Sequence, residues 1–272
     1  MSGDTGRSRG YAIGAQSNGD GPVKRRFIDE LRRLPPRSRY TREDILGDGL
    51  RLHQDARVSV YYAPMDWCNE TAEVVIVGLT PGWQQTEIAV RTARNALVGG
   101  TDLDTAARQA KEAARFAGPT RKNLISMLDQ LHLGDALGLP NAEALFSSHA
   151  HFLHSTSVLR YPVFVHGKNY SGYSPAPHAH HYLRSMIDDL LVPELARVRR
   201  ALVIPLGRAV NEIVRSVLSQ QTASETYCLD GFPHPSGANG HRHRYFEQAR
   251  PALLDTVRAW RTYREHTNGT GQ

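Results

Sequence analysis

The run Val74-Val75-Ile76-Val77 is apolar and β-branched at every position and stops abruptly at Gly78-Leu79-Thr80-Pro81-Gly82. A strand with one wet face alternates apolar and polar residues, whereas a strand with no polar face is covered on both sides, the usual situation in a parallel sheet between helices. A second run, apolar throughout, spans residues 201–206 and is followed by Gly207. Between the two the period is helical: Ile88, Val90, Ala93 and Leu97, then Ala106, Ala110, Ala113 and Ala114, then Leu124, Met127, Leu128 and Leu131, broken at Gly99-Gly100 and Gly118-Pro119. Further strands are predicted over 155–164 and 226–229, and a weakly alternating edge strand over 58–62. Helices are predicted over 24–34, from a cap at Thr41, near 181–191, from Gly207 to about residue 218, and over 242–263. Strands alternating with helices give an α/β class with a parallel sheet covered on both faces, and ligands are expected at the carboxyl ends of its strands.

Charge and cysteine content narrow the function classes. Lys and Arg total 33 against 27 Asp and Glu, a formal net charge of +6, which suits a polyanionic partner. With only Cys68 and Cys228, one chain builds neither a four-thiolate metal site nor a disulfide scaffold. The first residues lack the apolar segment of a secretory signal, and no run reaches the length of a membrane span, so a cytoplasmic protein with no membrane partner is expected. Neither the P-loop nor the dinucleotide fingerprint occurs, and no cofactor, resident metal or obligate protein partner is inferred. Residues 1–22 are expected to form a flexible tail rich in Gly, Ser and charge, 23–265 one domain, and 266–272 a frayed end.

A second glycine-proline turn, CLDGFPHPSGANGHR, follows the last predicted strand. Four blocks, VVIVGLTPG, HSTSVLRYPVF, LVPELARVRRALVIPLGRAV and PHPSGANGHRHRYF, occur in an order that resembles the uracil-DNA glycosylase superfamily from about residue 74 to 250. That resemblance implies a three-layer α/β/α sandwich with a central four-stranded parallel sheet. It also implies a DNA-binding enzyme that flips a base and hydrolyses its N-glycosidic bond, leaving an abasic site. Gly78, Leu79, Pro81, Gly82 and Trp83 would line the base pocket, with Ser157 and Asn169. His234 would hydrogen-bond the departing base, and Pro235, Ser236, Gly237 and Asn239 would bring the loop against the DNA. Lys168, in a long polar loop, and His241, Arg242 and Arg244 are candidate DNA contacts.

The chain departs from the family pattern at three points. Thr80 stands where an acid or amide is usual; its hydroxyl can orient water but is no general base, so the expected catalytic aid to the attacking water is Glu87, the nearest downstream carboxylate, or water held by Thr80. Ser157 stands where an edge-reading Asn is expected, and Ala238 where a large wedge is expected. These departures favour a modified base over plain uracil, for example a hypermodified phage cytosine in antiviral defence. The alternatives are repair of uracil or another deaminated base, and a DNA-binding module without catalysis. A metal-dependent hydrolase built on His149, His151, His154, His178, His180 and His181 is a rival class, for which the sequence offers no evident carboxylate companion.

Overall fold

The computed structural model describes residues 22–198, 200–220 and 226–269. The tail expected over 1–22 lies outside these residues except for its last position, as do residues 270–272 of the expected frayed end. Two compact units are formed by interleaved segments: Met1–Trp67 with Thr80–Ala114 and Leu159–Leu190, and Cys68–Leu79 with Arg115–Val158 and Leu191–Gln272.

In the first unit the helices are α1 (Pro22–Arg33), α2 (Arg42–Ile45), α3 (Trp83–Val98), α4 (Leu103–Ala114) and α7 (His181–Met186). Thr41 caps α2 through a reciprocal capping box with Asp44, as the sequence suggests. α3 packs on α4, with Val90, Ala93 and Leu97 buried at the helical spacing read from the sequence. The strands β1 (Arg51–Gln54), β2 (Val58–Tyr61), β5 (Val163–Val165) and β6 (Lys168–Asn169) form an antiparallel sheet in that order. The predicted edge strand over 58–62 is therefore interior, hydrogen-bonded to β1 on one side and β5 on the other. Its alternation is weak because Val58, Val60 and Tyr61 are all buried.

The second unit carries the parallel sheet. β3 (Val74–Gly78) lies between β4 (Leu153–Ser157) and β7 (Leu202–Pro205), parallel to both, with Ile76 opposite Ser155 on one side and Ile204 on the other. All five β3 residues are buried, which accounts for its lack of a polar face. Around the sheet lie α5 (Pro119–Asp129), α6 (Leu133–Leu137), α8 (Val192–Arg197), α9 (Arg208–Ser219) and α10 (Arg242–Gly269). Leu124, Leu128 and Leu131 belong to one contiguous core with Leu202 and Ile204 of β7, Phe232 and Trp260.

Four predicted elements are revised. Residues 226–229 contribute one parallel bridge, Cys228 to Val203, and no full strand: the Val203 N–H donates to the Tyr227 carbonyl at 2.8 Å and the Leu229 N–H to the Val203 carbonyl at 2.9 Å. The chain then turns at once, with Gly231 at φ +80°, so the pairing cannot extend. The predicted strand over 155–164 divides between two sheets. β4 ends at Ser157, Pro162 supplies no N–H to a ladder, and β5 pairs antiparallel with β2. The helix predicted near 181–191 passes through a π-helical turn, Ile187–Leu191, into α8, and the closing helix runs beyond 263 to Gly269.

Candidate functional site

The carboxyl edge of the parallel sheet gathers Gly78, Leu79, Ser157 and the His-Pro-Ser loop, all in the second unit. Gly78 ends β3 and Ser157 ends β4, in register with each other. A Cβ built on Gly78 would meet the Ser157 Oγ and the Phe116 ring at 3.5 Å, ordinary contact distances. Neither its backbone conformation nor the packing around it therefore demands glycine. Leu79 follows directly, and the chain leaves this unit at Thr80.

The edge is completed after β7. Gly207 has φ +90°, and a Cβ there would come within 3.0 Å of the His234 Cβ. Its N–H donates to the Phe232 carbonyl at 2.9 Å. Glycine is required here twice, by conformation and by close approach, and what it admits is the His-Pro-Ser loop. The loop is held from several sides. The Asn123 amide donates to the Pro235 carbonyl at 2.8 Å, the Asn239 amide to the His234 carbonyl at 3.2 Å, and the Arg242 guanidinium to the Ser236 carbonyl at 3.0 Å. The Ala238 N–H donates to the Ser236 Oγ at 3.1 Å.

His234 is half-buried, and burial lowers its pKa, keeping the ring neutral. The Ser236 N–H donates to its Nδ1 at 3.1 Å. An accepting Nδ1 places the ring proton on Nε2, so His234 is a neutral donor on a rigid loop. Of the candidate DNA contacts, Gly237, His241 and Arg244 are exposed. Arg244 lies over the Tyr245 ring at 5.1 Å, and His241 packs edge-on against the same ring. Arg242 is bonded within the loop and to the His243 ring, so its first task is to support the loop.

The remaining predicted residues lie in the first unit, where their bonds are those of scaffolding. The Thr80 hydroxyl donates to the Tyr161 carbonyl at 2.9 Å and accepts from the Val163 N–H at 3.2 Å, pinning the turn to β5. Pro81 is buried. Gly82 caps α3, whose first N–H, from Trp83, donates to the Asn169 side-chain oxygen at 3.1 Å. The Trp83 ring is covered by the Arg42 guanidinium at 5.0 Å. Lys168 and Asn169 are exposed but ordered in β6, where the sequence reads as an irregular loop.

Glu87 is 4% exposed. Its Oε1 accepts from the Arg91 Nε at 2.8 Å and from the Tyr40 N–H at 3.1 Å, while its Oε2 accepts from the other arm of Arg91 at 3.3 Å. This carboxylate ties α3 to the segment before α2, with three of its four lone pairs engaged. Glu87→Gln should therefore cost about 1–3 kcal/mol of stability, read as a lowered urea midpoint, by leaving Arg91 half-paired. Arg91→Ala should give a similar loss, and a pair of substitutions should cost less than the sum.

The six histidines of the rival metal class do not assemble. Among the described residues the groups of imidazole, thiol and carboxylate that converge are His53 with Asp55 and His180, and Cys68 with His154 and Glu194, in different units. In the second group the His154 Nε2 meets the Glu194 carboxylate at 2.9 Å, the Thr156 hydroxyl donates to the same carboxylate at 2.7 Å, and the Asn69 N–H donates to the His154 Nδ1 at 3.3 Å. The sequence reading missed both Asp55 and Glu194, because nothing local marks a carboxylate whose partners lie 125 or 40 residues away.

No protein-family model and no solved structure matches the chain. It is 40% identical over 236 residues to the uncharacterized protein YoxB of Bacillus subtilis (strain 168), an alignment covering 86% of this chain and 91% of that protein. A match over that much of both chains runs through both units, so the chain belongs to the same family as YoxB.

Proposed function

We propose that this protein is a monofunctional DNA glycosylase that flips a nonstandard base and hydrolyses its N-glycosidic bond. The observation that carries the reading is His234, a neutral Nε2–H donor held by Ser236 and backed by Gly207 at the carboxyl edge of the parallel sheet. As the bond from sugar to base lengthens, negative charge grows on the base, and a fixed donor aimed at that charge stabilises the transition state more than the ground state. The electron pair of the broken bond leaves with the base, and water adds to the oxocarbenium-like sugar, giving up its proton to solvent. A sugar cation of that kind needs little activation of the water, which suits a chain whose Thr80 and Glu87 are engaged elsewhere.

Ser157, which ends β4 beside Gly78, reads less of a base edge than an amide would. The exposed backbone at Gly237 and the cation of Arg244 would meet the DNA. In the finer fold that the resemblance implies, the Cys228 bridge takes the fourth position of a four-stranded parallel sheet in a three-layer α/β/α sandwich. The reading extends to a modified base, with a hypermodified phage cytosine as one candidate, and to a cytoplasmic setting.

Base release from matched duplexes containing uracil, hypoxanthine, hydroxymethylcytosine or glucosylated hydroxymethylcytosine, under single-turnover conditions, tests it. Release of a modified base faster than uracil is expected. Fastest release of uracil returns the protein to deaminated-base repair, and binding of all four duplexes without release supports a DNA-binding module instead.

A further inference from the structure

The β1–β2 hairpin and the start of α7 bring two imidazoles onto one carboxylate oxygen. Asp55 sits in the hairpin turn, where its Oδ1 accepts from the Arg57 and Val58 N–H groups, both at 2.8 Å. That fixes the carboxylate and turns Oδ2 toward the His53 Nε2 at 3.1 Å and the His180 Nε2 at 2.6 Å. His53 is in β1 and His180 is the residue before α7, 125 positions from Asp55. The His53 ring stacks on Tyr182, with centroids 4.3 Å apart and planes 13° apart, and meets the His180 ring edge-on. The side chains are 11% (His53), 17% (His180) and 35% (Asp55) exposed, so the cluster is ordered yet open to solvent.

We propose that His53, Asp55 and His180 form a binding site for a divalent transition-metal ion, with the His53 Nε2, the His180 Nε2 and the Asp55 Oδ2 as its protein ligands. The three atoms lie within 4.8 Å of one another. The Asp55 Oδ2 is 3.1 Å from the His53 Nε2 and 2.6 Å from the His180 Nε2, bracketing the spacing of about 3 Å between adjacent ligands of an octahedral ion with bonds of about 2.1 Å, while a tetrahedral ion needs them to part to about 3.4 Å. Two imidazoles and a carboxylate suit zinc, iron(II), cobalt, nickel or manganese; calcium and magnesium prefer oxygen alone. Three ligands from one side leave the outer positions to water, so the site takes an exchangeable oxygen ligand as well.

Binding has one cost. A metal on the His180 Nε2 moves the ring proton to Nδ1, which exchanges the 3.4 Å bond from the Leu183 N–H for a bond to water. That bond is long, and its loss is small beside a coordinate bond.

Two substitutions test the site while sparing the fold. Asp55→Asn keeps an oxygen for the turn N–H groups, and His180→Asn keeps a side chain able to cap α7. Titration of the tag-free full chain with cobalt(II) should give one saturable site with a ligand-field spectrum and no thiolate charge-transfer band. Affinity should fall at least about tenfold in Asp55→Asn and in His180→Asn, with melting temperatures checked without metal. Copper(II) bound to the wild type should show hyperfine coupling to two nitrogens, a readout that needs no variant. Absence of saturable binding overturns the proposal, as does affinity unchanged by both substitutions. A thiolate band would place the ion at Cys68 and His154 and overturn it equally.

Discussion

Replacing His234 with alanine is expected to slow single-turnover base release by about a hundredfold to a thousandfold while leaving DNA affinity within a few fold of wild type, the usual cost of removing one fixed donor to a developing anion. The ring donates through Nε2 only because the Ser236 N–H occupies Nδ1. Gly207→Ala should reproduce much of the loss without touching the imidazole, since the new Cβ would sit 3.0 Å from the His234 Cβ and the backbone there is at φ +90°. The pH profile separates a neutral donor from an imidazolium. Burial lowers the His234 pKa below its ordinary value near 6.5, so the ring is already neutral at about pH 6.5 and stays so above it. The wild-type rate should then show no decline between about pH 6.5 and 8.5 that His234→Ala abolishes. A rate that falls through that window in the wild type alone would make the ring a cation at work, and equal losses of binding and release in His234→Ala would make it a DNA anchor.

How far the sequence foretells this arrangement depends on whether a residue's reason is local. β3 and β7 are legible because burial on both faces leaves an unbroken apolar run, and Gly207 and the His-Pro-Ser loop are legible because a turn needs its own residue types. β4 is harder. Its residues Leu153-His154-Ser155-Thr156-Ser157 are mostly polar, yet the first four are buried, and the reason lies 38 to 40 residues away in Glu194. A reading of the local pattern therefore starts the strand two residues late and runs it on through Pro162 into β5. Glu87 illustrates the converse. Its partner Arg91 is four residues on, a spacing any helix brings together, but the Tyr40 N–H that completes the carboxylate's bonds is 47 residues away. Without that contact Glu87 resembles an available base; with it the carboxylate is a tie.

Glu194→Ala is expected to destabilise the protein by about 3–5 kcal/mol, lowering the melting temperature by roughly ten degrees, whereas Glu194→Gln should cost only a small part of that. Both Glu194 and His154 are fully buried. His154 accepts at Nδ1 from the Asn69 N–H, so its proton is on Nε2 and points to the Glu194 Oε1, and the Thr156 hydroxyl donates to Oε2. Alanine leaves a cavity and takes the carboxylate from the Thr156 hydroxyl and from the His154 Nε2, whose contact with the Cys68 Sγ is long at 3.9 Å, in a strand that ends beside Gly78. Glutamine keeps an oxygen for the His154 Nε2–H, and its amide can donate to the Thr156 oxygen once that hydroxyl rotates. A neutral His154 thus predicts tolerance of the amide. Thermal and urea unfolding of the two variants decide it: if Glu194→Gln loses as much as Glu194→Ala, the pair is ionic, with His154 charged in the core, and the tautomer derived from Asn69 is wrong.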